Sequence, residues 1–308
     1  MPRPSGQGTA MHASPLHYRF DNPIPKLTLY TVRTSRTSIH EEAPMATATI
    51  NGIEIAYTDQ GSGTPIVFIH GFPLSRAMWQ NQVAGLSGQA RVITIDLRGH
   101  GESQAPLWFA TVDIYADEVA GLLDHLGIDK AVIAGFSMGG YVAFAFWRRH
   151  QARVRALILA DTRPQADSAE ARQGRFNTAQ NAHANGAAAV ATAMLPRLLT
   201  QPSLDGNPSL VAAAKGIMES APVTGIATDL MSMAERPDSV GLLPSINVPT
   251  LVIVGEADAL TPPADSQLMA EKVPGARLVT IPGAAHLSPM EQPAAFNQAV
   301  ADFLSTLS

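Results

Sequence analysis

AVIAGFSMGGYVAFAFW, Ala131 to Trp147, decides how the rest of the chain is read. It is apolar almost throughout, yet Ser137 sits at its centre between Gly135 and Gly139. A membrane-crossing helix needs about 20 apolar residues. This run is marginal in length, and Gly135, Gly139 and Gly140 interrupt its middle. A buried strand over Ala131–Phe136 followed by a buried helix over Met138–His150 fits better, with the serine at the bend. Residues 135–139 read G-x-S-x-G, the strand-to-helix pattern of a nucleophilic serine. A very tight turn holds such a serine in strained geometry and pushes its oxygen out of the sheet. Residues two before and two after then come close together, so only glycine-sized residues fit there. The following helix aims free amides and its positive dipole end at the reacting centre. Alone, five residues of this kind also describe an ordinary Gly-rich turn with a solvated serine. The flanks and the partners carry the argument.

Outward from this stretch, short β-rich runs alternate with helical ones. Upstream, residues 47–50, the Asn51-Gly52 turn and residues 53–59 read as a hairpin. PIVFIHG, Pro65 to Gly71, and RVITIDL, Arg91 to Leu97, are continuous apolar runs of the sort buried on both faces. Residues 75–86 and 111–126 have helical spacing, with Ser75 as N-cap of the first and Gly127 placed to end the second. Downstream come strands at residues 155–161, 250–258 and 276–283, and helices at 265–272 and 293–307. Between Thr162 and Leu243 the β runs stop, and Ala, Met and Leu recur at helical intervals. This order predicts an α/β fold, a mostly parallel sheet with helices on both faces. The core spans residues 45–162 and 244–308, and residues 163–243 form an inserted helical lid. Residues 1–44 are rich in Pro, Ser, Thr and Arg without a sustained period. They read as a disordered extension, with Met45 as the alternative natural start.

The bulk numbers narrow the partners. The chain has 308 residues, 46% of them hydrophobic, a formal net charge of −5 and no basic run, so neither nucleic acid nor an anionic membrane has electrostatic support as a partner. It has no cysteine, which removes disulfides, thiolate metal sites and a thiol nucleophile together, and fits a cytoplasmic protein. No zinc-protease or P-loop pattern occurs, and the single His of DLRGHGES, Asp96 to Ser103, does not make a metal-ligand set. That loop reads as a structural turn in which Asp96 and Arg98 pair. No metal and no organic cofactor is expected.

Serine needs a base to take its proton. Of the nine histidines, His286 in PGAAHLSP follows the last strand, at the edge where open α/β sheets place their ligand crevice. His70 is read as a loop-fixing residue, His125 and His150 as helix-end residues and His183 as exposed. An acid must fix the imidazole tautomer. Asp258, after the strand in VGEAD, is preferred; Asp161, after the strand ending LILAD, is the rival. Ser137, Asp258 and His286 occur in the chain order described for this kind of fold. The oxyanion donors are the backbone N–H of Met138 and that of Phe72, in HGFP.

HGFPLSRAMW, DLRGHGES, GFSMGG, GEADALTPP and GAAHLSPMEQP together resemble the α/β-hydrolase superfamily, from Thr47 to the C-terminus. The chain is most similar to small bacterial carboxylesterases grouped with 3-oxoadipate enol-lactonases, acyl-homoserine lactonases and cofactor-free haloperoxidases. The resemblance implies an eight-stranded sheet with a helical cap. It also implies hydrolysis of a small-molecule ester or lactone through an acyl-enzyme. The alternatives are perhydrolysis on the same triad and a non-catalytic binding protein of the same fold. An aspartate nucleophile, used by other branches of the superfamily, is disfavoured by Ser137. Met194, Leu195, Leu198, Leu199, Met218, Met231 and Met233 are candidate pocket residues, methionine being suited to loose specificity, with plain helix packing the commoner reading for any single one of them.

Overall fold

The structure is a computed structural model and describes residues 45–105 and 109–307; the reading of residues 1–44 as an extension lies outside them. The strands are β1 (Met45–Ile50), β2 (Ile53–Gln60), β3 (Pro65–Ile69), β4 (Arg91–Ile95), β5 (Ala131–Phe136), β6 (Val154–Ala160), β7 (Thr250–Gly255) and β8 (Arg277–Ile281). They form one eight-stranded sheet in the order β1-β2-β4-β3-β5-β6-β7-β8. β2 runs antiparallel to β1 and β4, and the other pairings are parallel. The β1–β2 hairpin closes on Asn51 and Gly52, both at positive φ (51° and 81°), the geometry that a two-residue Asn-Gly turn supplies.

Period-two alternation divides the sheet between two cores. Ile66 and Phe68 of β3 face one apolar cluster, while Val67 and Ile69 face the other. Every residue of β5 and β7 is buried, which matches their unbroken apolar sequences. Helices α1 (Gln80–Leu86), α2 (Val112–His125) and α3 (Met138–His150) follow β3, β4 and β5. The α2 and α3 side chains fill the first cluster. Leu86 of α1 belongs to the second, where Trp79 packs against Phe68 with ring centroids 4.8 Å apart. Truncating either aromatic to Ala would cost about 3–5 kcal/mol.

The segment between β6 and β7 carries α4 (Ala169–Leu198), α5 (Gln201–Gly206), α6 (Pro208–Glu219) and α7 (Val223–Glu235). α4 leaves helical geometry at Gly186, with φ 80° and ψ 177°. The chain then returns to the sheet, with α8 (Pro263–Lys272) between β7 and β8, and α9 (Ser288–Glu291) and α10 (Pro293–Leu304) after it. Phe296, Val300 and Phe303 of α10 complete the second cluster. None of the described helices is long and apolar enough to cross a membrane.

The loop Asp96 to Ser103 corrects one expected pairing. Asp96 meets Arg76 rather than Arg98, accepting from its backbone N–H at 2.7 Å and from its guanidinium. Arg98 instead pairs with Glu118 of α2. Each residue therefore finds its partner on another element, Asp96 before α1 and Arg98 on α2.

Candidate active site

Ser137 stands between β5 and α3 with φ 52° and ψ −113°, a positive φ that non-glycine residues rarely adopt. Its strain is held by neighbours on both sides. The Ser137 N–H donates to Ala160 O at 2.9 Å, and Thr162 Oγ1 donates to Ser137 O at 2.7 Å. A Cβ at Gly135 would run into the Gly139 carbonyl, and one at Gly139 into the Ile69 carbonyl, so both positions admit only glycine.

Asp258 follows β7, and His286 follows β8, so three residues far apart in the chain meet at the carboxyl ends of parallel strands. Ser137 Oγ lies 2.9 Å from His286 Nε2, and His286 Nδ1 lies 2.8 Å from Asp258 Oδ2. His286 and Asp258 are each only 3% exposed. Thr261 was not singled out in the sequence, yet its hydroxyl donates to Asp258 Oδ2 at 2.7 Å. The backbone N–H groups of Leu260 and Thr261 donate to Oδ1 at 2.8 and 3.0 Å. Burial works to raise the Asp258 pKa, but the bonds from His286 and Thr261 outweigh it and leave the carboxyl below its usual value. The charge needed beside an imidazole is therefore kept.

Asp161, the rival acid, points elsewhere. It is fully buried, accepts the Gly255 N–H at 2.8 Å and is hydrogen-bonded to Ser288 Oγ. Burial, with the charge of Asp258 nearby, raises its pKa well above the carboxylate range. It ties β6 to β7 and to the start of α9, two residues after His286. Glu256 is exposed and accepts the Gly283 N–H at 3.2 Å, away from the imidazole. Glu291 was also missed in the sequence. Its carboxylate accepts from the amides of Ala285 at 2.7 Å and Thr200 at 2.8 Å, and so joins the histidine loop to the helical insertion.

The two expected oxyanion donors follow β3 and β5 closely in the chain. Met138 is the first residue of α3, so its amide is one of the four that lack an intrahelical acceptor. Phe72 is the second residue of a turn closed by Leu74 N–H donating to Gly71 O at 2.9 Å. His70 is a loop-fixing residue: Nδ1–H donates to Gly71 O at 2.9 Å, and Nε2 accepts the Leu97 N–H at 3.0 Å.

Beside Ser137 and His286 lies a cavity of about 440 Å³. Of the candidate pocket residues only Met194 and Met233 line it. Leu195, Leu198, Leu199 and Met218 are buried in the second core cluster, and Met231 packs against the first. Helical spacing marks an apolar face without saying what that face covers. Here most of it covers other helices. Arg163, Arg175 and Arg197 line the cavity instead.

The histidine pair below the site makes stability depend on pH. Burial, reinforced by His100 5.2 Å away, lowers the His70 pKa to about 4. Burial also disfavours charge on His100, but Asp229 Oδ2, 2.7 Å from its Nε2, raises that pKa overall. Below its ordinary value of 6.5 an unfolded His70 takes a proton that the folded one refuses until about pH 4. The His70 contribution, up to about 3 kcal/mol, is therefore complete above pH 6.5 and lost as pH falls towards 4. His100 acts in the opposite sense, so the variant His70→Gln should show a flatter loss of urea midpoint between pH 7.5 and pH 4.5 than the parent. Equal slopes would refute the assignment.

A profile of the alpha/beta hydrolase fold matches residues 64–293. The 3-oxoadipate enol-lactonase 2 of Acinetobacter baylyi is 31% identical over 82% of this chain and 94% of its own. Among solved structures, a thermophilic esterase from Thermogutta terrifontis, malate bound, is 43% identical, with a TM-score of 0.83 over 86% of this chain and 99% of its own. The enol-lactonase from Burkholderia xenovorans is 33% identical, with a TM-score of 0.79 over 84% and 100%. An eight-stranded sheet, a strained serine after its fifth strand and these matches over most of the chain lead to one assignment: the chain belongs to the α/β-hydrolase fold family, among relatives that are an esterase and enol-lactonases.

Proposed function

We propose that this protein, a carboxylic ester hydrolase, cleaves small esters or lactones through an acyl-enzyme formed on Ser137. The reading is carried by the unbroken hydrogen-bonded line from Ser137 Oγ to His286 to Asp258. Ser137 Oγ attacks the substrate carbonyl while His286 Nε2 takes its proton. Asp258 holds the imidazole by Nδ1–H and stabilises the imidazolium that forms. The amides of Phe72 and Met138 receive the oxyanion, each donor contributing about 3 kcal/mol to transition-state stabilisation. His286 then returns the proton to the leaving alkoxide. Water, activated by the same imidazole, attacks the acyl-enzyme, and the acid departs. Residues 45–162 and 244–308 act as the catalytic core, and residues 163–243 as a lid that shapes the acyl site.

A cavity of about 440 Å³ suits small to medium substrates. A fluorophosphonate probe should label Ser137, and p-nitrophenyl esters from acetate to octanoate should turn over best at the shorter chains. Added peroxide with monochlorodimedone measures any transfer of the acyl group to peroxide. A protein that escapes the probe and hydrolyses neither esters nor lactones would be a binding protein of this fold, and the reading would fail.

A further inference from the structure

The carbonyl of Gly71 and the N–H of Phe72 belong to one planar peptide unit, so they point in opposite directions. Two donors hold that carbonyl, Leu74 N–H at 2.9 Å and His70 Nδ1–H at 2.9 Å. The Leu97 N–H, 3.0 Å from His70 Nε2, fixes the tautomer that makes Nδ1 the donor. Donation to the carbonyl also polarises the unit and strengthens its N–H as a donor. The unit borders the catalytic cavity. Phe72 and Ser137 both line it, and a Cβ at Gly71 would stand 3.0 Å from Ser137 Cβ.

Behind His70 lies a second buried imidazole. The ring of His100 is 5.2 Å from that of His70, centroid to centroid, and faces the backbone of Leu74. His100 Nε2 lies 2.7 Å from Asp229 Oδ2, and the Tyr115 hydroxyl donates to Asp229 Oδ1 at 2.6 Å. All three side chains are fully buried. Asp229 belongs to α7, whereas His100 lies in the loop after β4 and Tyr115 on α2. Gly225, one turn earlier on the same face of α7, packs directly on that loop: a Cβ there would run into the Gly99 carbonyl. Leu230 and Met233 of α7 line the catalytic cavity. The helix thus borders the cavity on one side and, through His100, backs the Gly71–Leu74 turn on the other. A buried carboxylate is a costly way to dock a helix, and an apolar side chain would hold α7 as well if docking were the whole purpose. What the carboxylate adds is a fixed place for one imidazole.

We propose that Asp229 is a positioning residue for the Phe72 amide: through His100 it holds the Gly71–Leu74 turn, so that the helical insertion completes the oxyanion hole as well as covering the cavity. This rests on the Ser137 reading, in which that amide receives the oxyanion. A displaced α7 then weakens transition-state stabilisation rather than substrate binding.

The test changes the one atom that the amides receive. p-Nitrophenyl acetate and its thiono analogue, with C=S in place of C=O, release the same phenolate, but sulfur is too large and too weak an acceptor for donors set around oxygen. The kcat/KM of the oxygen ester should exceed that of the sulfur ester by about a hundredfold or more in the parent. In Asp229→Asn, which keeps the shape and removes the charge, this ratio should fall about tenfold, through kcat on the oxygen ester with KM held. Gly225→Ala leaves Asp229 in place, and helix propensity alone would favour it, yet it should lower the ratio in the same direction. His100→Gln added to Asp229→Asn should lower it little further, because the two side chains act as one unit. Rates are taken per fluorophosphonate-titrated site, so unfolded protein does not enter them. Equal losses on the two esters, or a ratio unmoved by Asp229→Asn, overturn the proposal; should that variant not fold, Gly225→Ala decides in the same way. Failure of the Ser137 reading shows differently: the parent takes no label and cleaves neither ester.

Discussion

Ser137→Ala should lower kcat on a chromogenic ester by about 10⁵- to 10⁶-fold while leaving the fold intact. The size follows from the arrangement. Attack, proton transfer and oxyanion capture act on one group, and removing that group disables the unit rather than one increment of it. The fold should survive because Ser137 Oγ makes one bond among the described residues, to His286 Nε2, while the backbone N–H and C=O of residue 137 hold the turn. Alanine meets the same positive φ as serine, so strain changes little. Thermal unfolding of the variant should match the parent within about 1 kcal/mol. Turnover above one part in a hundred of the parent, with the fluorophosphonate label gone, would mean that another group does the chemistry.

Asp258→Asn should lower kcat by about 10⁴-fold, and Asp161→Asn by less than about tenfold. Both aspartates follow parallel strands and both are buried, so the sequence alone separates them poorly. Their surroundings separate them well. Asp258 receives three donors besides His286, and these bonds keep its carboxyl charged. An asparagine there presents an amide to the imidazole and favours the wrong tautomer. Asp161 is a buried carboxyl whose pKa is raised by burial and by Asp258, so a neutral amide is close to its resting state. Its loss should appear as a modest drop in melting temperature, through the Gly255 and Ser288 bonds. The reverse ranking of the two variants in kcat would move the acid to Asp161 and remove the role given to Asp258.

The strands legible in the sequence are those whose signal is local. β3, β4, β5 and β7 are mainly apolar and, apart from the first residues of β3 and β4, buried on both faces of the sheet. The serine turn is legible for the same reason: Gly135, Ser137 and Gly139 lie within five residues, and the constraint that selects them is a local close approach. Ser75 as the N-cap before Arg76 and Gly127 at the end of α2 are local signals too. Of the seven candidate lid residues, Met194 and Met233 line the cavity and the others pack in the core, because methionines and leucines at helical spacing look alike whether they meet a ligand or another helix.

Hydrophobic periodicity, turn chemistry and the order of Ser137, Asp258 and His286 were thus determined by the chain itself, because each is a property of neighbours along the backbone. Tertiary structure alone brought Ser137 to His286 across 149 residues, gave Asp258 rather than Asp161 to the imidazole, and turned Arg163, Arg175 and Arg197 towards one cavity. Which side chains meet in these places depends on strand order and helix packing, and no short stretch of sequence encodes either.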